Sequence, residues 1–217
     1  MLLRRKGFTL VELMVSIAIL LLISTTTVFS LGDTRNNDEL MTAARLLVGD
    51  IRNVQARALA ATNIRTCDTS SGQARVCETE NPSVISCSSD CTPLPPPRVG
   101  VEFESGSSGY TIFADVHTED WRLTNDEEIV LQRDMNPLGG DKVTVSAIQT
   151  TFGSLSQVNL AVGRQNGTMR IEACGDTGLP ACAPKEPQTL SITLIHAKTA
   201  RTVTVDVNAV TGRVSFQ

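Results

Sequence analysis

The sequence predicts an α+β protein: one long N-terminal helix followed by a β-rich head. Three observations predict it. Residues 8–31 are largely apolar and carry a single charge. Apolar residues then recur on one helical face as far as Ala61. From Val99 onward the chain breaks into short β-rich runs separated by turn residues.

The first run lies in "KGFTLVELMVSIAILLLI", Lys6–Ile23. From Phe8 to Leu31 there are about 24 residues, and about 20 span a bilayer as a helix. Arg4, Arg5 and Lys6 precede the run, and the next charge after it is Asp33. This asymmetry places the N-terminus in the cytoplasm and the rest of the chain outside. Glu12 is the one charge inside the run. At mid-membrane a carboxylate costs roughly 2.5–3.5 kcal/mol on insertion scales. Its position near the cytoplasmic end lowers that cost. Either it reaches the headgroups, or it has a cationic partner in an assembled state. A secretory signal cut after Ser30, in "TVFSLG", is the rival processing scheme; the carboxylate and the length of the core oppose it.

The polar stretch "GDTRNNDE", Gly32–Glu39, offers a place for the helix to loosen. Leu40, Ala44, Leu47, Ile51, Val54, Ala58 and Ala61 then form the apolar stripe, while Arg45, Asp50, Arg52 and Arg57 avoid it. Small residues in the stripe favour close packing on a sheet over a coiled coil. Asn63 is the expected end, which gives a helix on the order of 80 Å long. Residues 63–98 read as a Cys- and Pro-rich loop region, with "PLPPPR" as a solvated spacer or a polyproline II segment. Nine strands are expected after it: "VGVEFE", "YTIFADV", "EIVLQR", "KVTVSAI", "QVNLAV", "GTMRIEA", "TLSITLI", "RTVTVDV" and "GRVSFQ". Their sheets pack on one another or on the helix. Turns are expected at Asn166–Gly167 and Thr211–Gly212.

"RRKGFTLVELMVSIAILLL" resembles the class III signal of type IV pilins and type II secretion pseudopilins. The resemblance implies a cut after Gly7 by a prepilin peptidase and methylation of the new amino terminus at Phe8. It implies that Glu12 docks each subunit onto a neighbour's terminal amine during filament assembly. The chain then divides into a leader (1–7), a transmembrane helix segment (8–31), an amphipathic half-helix (32–62), the loop region (63–98) and a β-rich head (99–217). Implied partners are other pilin or pseudopilin subunits, the prepilin peptidase, an inner-membrane assembly platform and the inner membrane itself. From that membrane the subunit moves into an extracellular or periplasmic filament.

The tail, with "VGRQNGTMRI" and a strand pair ending in Gly212-Arg213-Val214, resembles the GspH/FimT-like minor pilins. That branch implies an antiparallel β-sandwich laid on the amphipathic half of the helix, and a minor pilin or pseudopilin as the function. The alternative is a pilus-tip adhesin or a DNA-uptake subunit of a competence pilus. Some members of the branch bind DNA through a Gly-Arg-x-Arg pattern, but Ser215 stands here where the second arginine would be. Arg164, Arg170, Arg201 and Arg213 are the candidate DNA contacts.

The formal charge is −4, and subtracting the three leader cations Arg4, Arg5 and Lys6 gives −7. A mildly acidic domain has no bulk electrostatic footprint for nucleic acid. Cys67, Cys77, Cys87, Cys91, Cys174 and Cys182 all follow the apolar run, on the oxidising side, and read as disulfides. Six cysteines allow 15 pairings. Local loops suggest Cys67–Cys77, Cys87–Cys91 and Cys174–Cys182. A zinc site is the rival, with a spacing that matches no recognised ligand set. No metal or cofactor is expected. His117, beside the acids of "DVHTEDW", is a minor candidate for a metal or acid–base site, and His196 reads as a structural strand histidine. "DMNPLGGDK" lacks the spacing of an EF-hand loop, and no P-loop, nucleophile elbow or zinc-protease motif occurs. The expected role is structural, not enzymatic.

Overall fold

The structure is a computed structural model. It describes residues 9–68, 74–77, 90–116, 129–136, 142–164, 167–174 and 188–217, without the side chains of 25–34, 68, 74, 173 and 174. It is α+β, with an N-terminal helix and antiparallel sheets. The helix α1 covers Leu10–Leu59. The chain divides into two compact units, Met1–Asp38 and Glu39–Gln217.

In the first unit, the stretch of helix from Leu10 to Ile23 presents apolar side chains on every side. Leu10, Val11, Leu13, Met14, Val15, Ile17 and Ile19 to Ile23 are all exposed. Ser16 and Ser24 donate their hydroxyls to the carbonyls of Glu12 and Leu20, so neither leaves an unbonded hydroxyl on this surface.

The second unit opens with the one-sided half of α1. Leu40, Ala44, Leu47, Ile51, Val54 and Ala58 are buried, as the stripe predicts, and Ala43 and Val48 widen it. Ala61 is the exception: it is exposed, with φ of 47°. It sits where the helix terminates. Thr62 N–H donates to Arg57 C=O and Ala61 N–H to Ala58 C=O, the paired bonds of a Schellman motif.

Residues 63–98 are not simply a loop. They contain β1 (Ile64–Asp68), β2 (Ala74–Val76) and β3 (Thr92–Leu94), a small sheet in the order β2-β1-β3. Pro93 is tolerated because β3 is an edge strand. Register also corrects the expected disulfides. Cys67 faces Arg75 across the β1–β2 pair, and Cys77 N–H bonds Arg65 C=O. The two cysteines are therefore diagonal, about 7–8 Å apart at Cα, beyond the usual disulfide span of about 4.4–6.8 Å. Cys77 bonds Cys91 instead, across 14 residues, which also removes the expected Cys87–Cys91 bridge. Cys67 is disulfide-bonded to a partner outside the described side chains. No described cysteine is a free thiol. Cys87, Cys182 and the Cys174 side chain, and with them the third expected pair, lie outside the described residues.

All nine expected strands form. One sheet has the order β10-β9-β4-β5-β6, built from β4 (Arg98–Glu104), β5 (Gly109–Asp115), β6 (Ile129–Asp134), β9 (Gln157–Gly163) and β10 (Met169–Cys174). The other has the order β13-β12-β11-β7-β8, from β7 (Val143–Thr150), β8 (Gly153–Leu155), β11 (Thr189–His196), β12 (Thr202–Asn208) and β13 (Arg213–Phe216). The short β8 was not legible in "GSL". Every pairing is antiparallel. The β4–β5 turn joins the two sheets, with Gly106 N–H on Val145 C=O and Val145 N–H on Ser107 C=O. Alternate residues of both sheets, such as Val101, Phe103, Leu160, Ile192 and Val205, share one buried core with the helix stripe.

Polar side chains fix the helix in this core. Glu39 offers one carboxylate oxygen to Lys142 Nζ at 3.2 Å and the other to His196 Nε2 at 3.3 Å. His196 is fully buried, and its Nδ1 accepts from Lys198 N–H. Asp50 accepts from Tyr110 Oη at 2.6 Å and pairs with Arg133 at 3.3 Å. Burial, then the Asp50 hydrogen bond and charge, push the Tyr110 hydroxyl far above its ordinary pKa of 10.0. Asp50 therefore lies inside the fold even though it avoids the apolar stripe.

Candidate processing and assembly site

Thr9 and Glu12 build the start of α1. Thr9 precedes the first helical residue, and its Oγ1 accepts from Glu12 N–H at 3.2 Å. Thr9-Leu10-Val11-Glu12 thus has the spacing of a capping box, with the acid three residues past the cap. A carboxylate in the first turn also faces the positive end of the helix dipole. These local effects account for glutamate at this position in an isolated chain. Among the described residues, though, the carboxylate of Glu12 has no ionic partner. Around it the helix surface is apolar through Ile23. Gly7 and Phe8, the expected cut and methylation residues, lie outside the described residues. No helix among the described residues is long and apolar enough to cross a membrane; Phe8 and the side chains of 25–31, part of the expected span, are not among them.

At the opposite end of α1 the two C-terminal hairpins dock. Gly212, with φ of 66°, sits in the β12–β13 turn, where only glycine adopts that conformation without strain. Its carbonyl accepts from Gln55 Nε2 at 2.9 Å, and the carbonyl of Val214 accepts from Arg52 at 3.0 Å. In the β9–β10 turn, Gly167, with φ of 64°, lies so close to Leu59 that an added Cβ would come within 2.6 Å of it. Between these turns runs a groove of about 800 Å³, lined in part by Leu59, Met169, Arg170 and Val210.

The four candidate arginines do not all face this groove. Arg170 lines it and pairs with Glu172 at 3.5 Å. Arg164 donates to Pro95 C=O at 3.2 Å. Arg213 is exposed and pairs in register with Asn208, at one end of β12. Arg201 precedes the other end of that strand, about 20 Å away at 3.3 Å per residue. His117 lies outside the described residues, and His196 is held in the Glu39 clamp. Sequence reasoning missed Glu39, Tyr110 and Arg133. A charge at the edge of a polar run, and one aromatic hydroxyl among apolar neighbours, carry no distinctive pattern.

Comparison with known proteins adds one finding. Residues 2–28 match the family described as the prokaryotic N-terminal methylation motif. No curated protein and no solved structure matches the chain. The matched residues include Gly7, Phe8, the Thr9 cap and Glu12, and they carry this chain's type IV pilin and pseudopilin signature.

Proposed function

We propose that this protein is a minor pilin or pseudopilin, a structural subunit of a type IV pilus or a type II secretion pseudopilus. The observation that carries the reading is the pairing of the methylation motif with a helix that is apolar on every described side from Leu10 to Ile23. Such a surface has to be covered by lipid or by other helices. Cleavage between Gly7 and Phe8 releases the leader 1–7, and methylation follows at Phe8. The segment 8–31 holds the subunit in the inner membrane, with its N-terminus inside and residues 99–217 outside, until assembly. The two five-stranded sheets close as a sandwich over the amphipathic half of α1, as in the GspH/FimT-like branch. The docked hairpins at Gly167 and Gly212 support that subtype.

Assembly gives Glu12 its partner. In the bilayer the carboxylate bears a desolvation cost; in the filament it meets the amine at Phe8 of a neighbour, and the pairing fixes subunit register. Mass spectrometry of protein recovered from its native membrane tests the processing. The expected N-terminus is Phe8 carrying one methyl group. An N-terminus at Leu31 would refute the reading.

A further inference from the structure

We propose that Cys67, Cys77 and Cys91 form a thiol–disulfide exchange site, through which a dithiol reductant or isomerase acts on the buried Cys67 sulfur without touching it. The three sulfurs lie within 4.8 Å of one another. They differ in access. Cys67 is 3 % exposed, whereas Cys77 and Cys91 are half-buried. Of the three sulfurs, those of the Cys77–Cys91 bond are therefore the ones an external thiolate can reach. Register supplies the second step. The β1–β3 pairing runs Ile64↔Leu94, Arg65↔Pro93, Thr66↔Thr92, so the next position sets Cys91 opposite Cys67. Directly opposed residues are about 4.5–5.5 Å apart at Cα, within the span of a disulfide.

The exchange proceeds by thiolate attack and mixed disulfides. An external thiolate bonds to Cys77 Sγ, and the electron pair of the Cys77–Cys91 bond leaves on Cys91. The Cys91 thiolate then bonds to Cys67 Sγ. The electron pair of the former Cys67 bridge leaves on its old partner, which becomes a thiolate. The second thiol of the dithiol attacks the mixed disulfide at Cys77 and frees it. The two protons of the dithiol end on Cys77 and on the old partner of Cys67. In total one dithiol is oxidised, one of the two original bridges is lost, and a Cys67–Cys91 bridge remains. By this route the Cys67 bridge opens only after Cys91 has been freed.

The test uses the oxidised full chain under native conditions. Limiting dithiothreitol is added, samples are alkylated at intervals, and the bridges are mapped by tandem mass spectrometry. The expected early species links Cys67 to Cys91 and carries alkyl groups on Cys77. Alkylation of Cys67 before that species forms, or its absence while Cys77 and Cys91 both become alkylated, would overturn the proposal. A Cys77→Ala, Cys91→Ala double variant gives a second readout. Without the two accessible sulfurs, alkylation of Cys67 should slow by about tenfold or more. An unchanged rate would also overturn it. Should the variant fail to fold, the mapping on the parent chain decides alone.

Discussion

Ala61 carries a conformation that its side chain resists. At φ of 47° it occupies the position in the Schellman motif that glycine usually holds. A left-handed L-residue costs about 1–2 kcal/mol, and glycine returns part of that through its greater freedom in the unfolded chain. Ala61→Gly should therefore stabilise the second unit by about 0.5–1 kcal/mol in urea unfolding. A loss of stability would show that the Cβ makes a contact worth more than the strain. At Tyr110 the expected sign is opposite. Tyr110→Phe leaves a buried oxygen of Asp50 without its 2.6 Å donor and should cost about 1–3 kcal/mol. The effect has a pH signature. The folded protein keeps the Tyr110 proton above the ordinary pKa of 10.0, while the unfolded chain releases it. The parent therefore loses stability as pH rises above 10.0, and the gap to Tyr110→Phe should narrow there. Melting temperatures of both proteins between pH 8 and 11 check this. None of these residues was legible as special in the sequence. Asp50 avoids the apolar stripe as a solvated residue does, and only the fold brings Tyr110 and Arg133 onto it.

At the scale of elements, periodicity carried far and register did not. The steps of three and four from Leu40 to Ala58 fixed the buried face of α1, because a helix turns by a constant angle. Alternation likewise located the nine long strands of the two five-stranded sheets. What alternation does not encode is which strands meet and in what register. Cys67 and Cys77 are near in sequence but diagonal across β1–β2, so Cys77 bonds Cys91. The strands β1 to β3 were hidden for a related reason: they are short, and a proline stands in one of them. The C-terminal edge strand shows how the helix secures the sheet. Arg52 and Gln55 cover the carbonyls of Val214 and Gly212, which an open edge would present to another chain. An Arg52→Ala, Gln55→Ala variant loses two hydrogen bonds worth about 0.5–1.5 kcal/mol each. Its stability should fall accordingly, and amide exchange should quicken in β13 before it does in β11. Uniform acceleration across the sheet would mean that the edge is not opened locally.

For the whole molecule, the sequence was most informative where the structure describes least. The Gly7–Phe8 junction was legible as a motif, because a processing signal is read as a linear string. A partner for Glu12 came from the same motif, by resemblance, and the structure of one chain does not contain it, since the proposed amine belongs to another copy. The second unit contains a sufficient core of its own, whereas the described apolar surface of the first has none to join. That contrast is the physical basis for proposing a filament subunit. The most direct measurement is the share of protein recovered in sheared surface filaments or pseudopili, against the membrane fraction, for the parent and for Glu12→Val. Removing the carboxylate eases membrane insertion and leaves the Gly7–Phe8 bond untouched, so processed protein should accumulate in the membrane. Its share in filaments should fall about tenfold or more, the equivalent of about 1.4 kcal/mol of lost pairing. Assembly of Glu12→Val at the parent level would contradict the account and leave Glu12 as a helix-capping residue only.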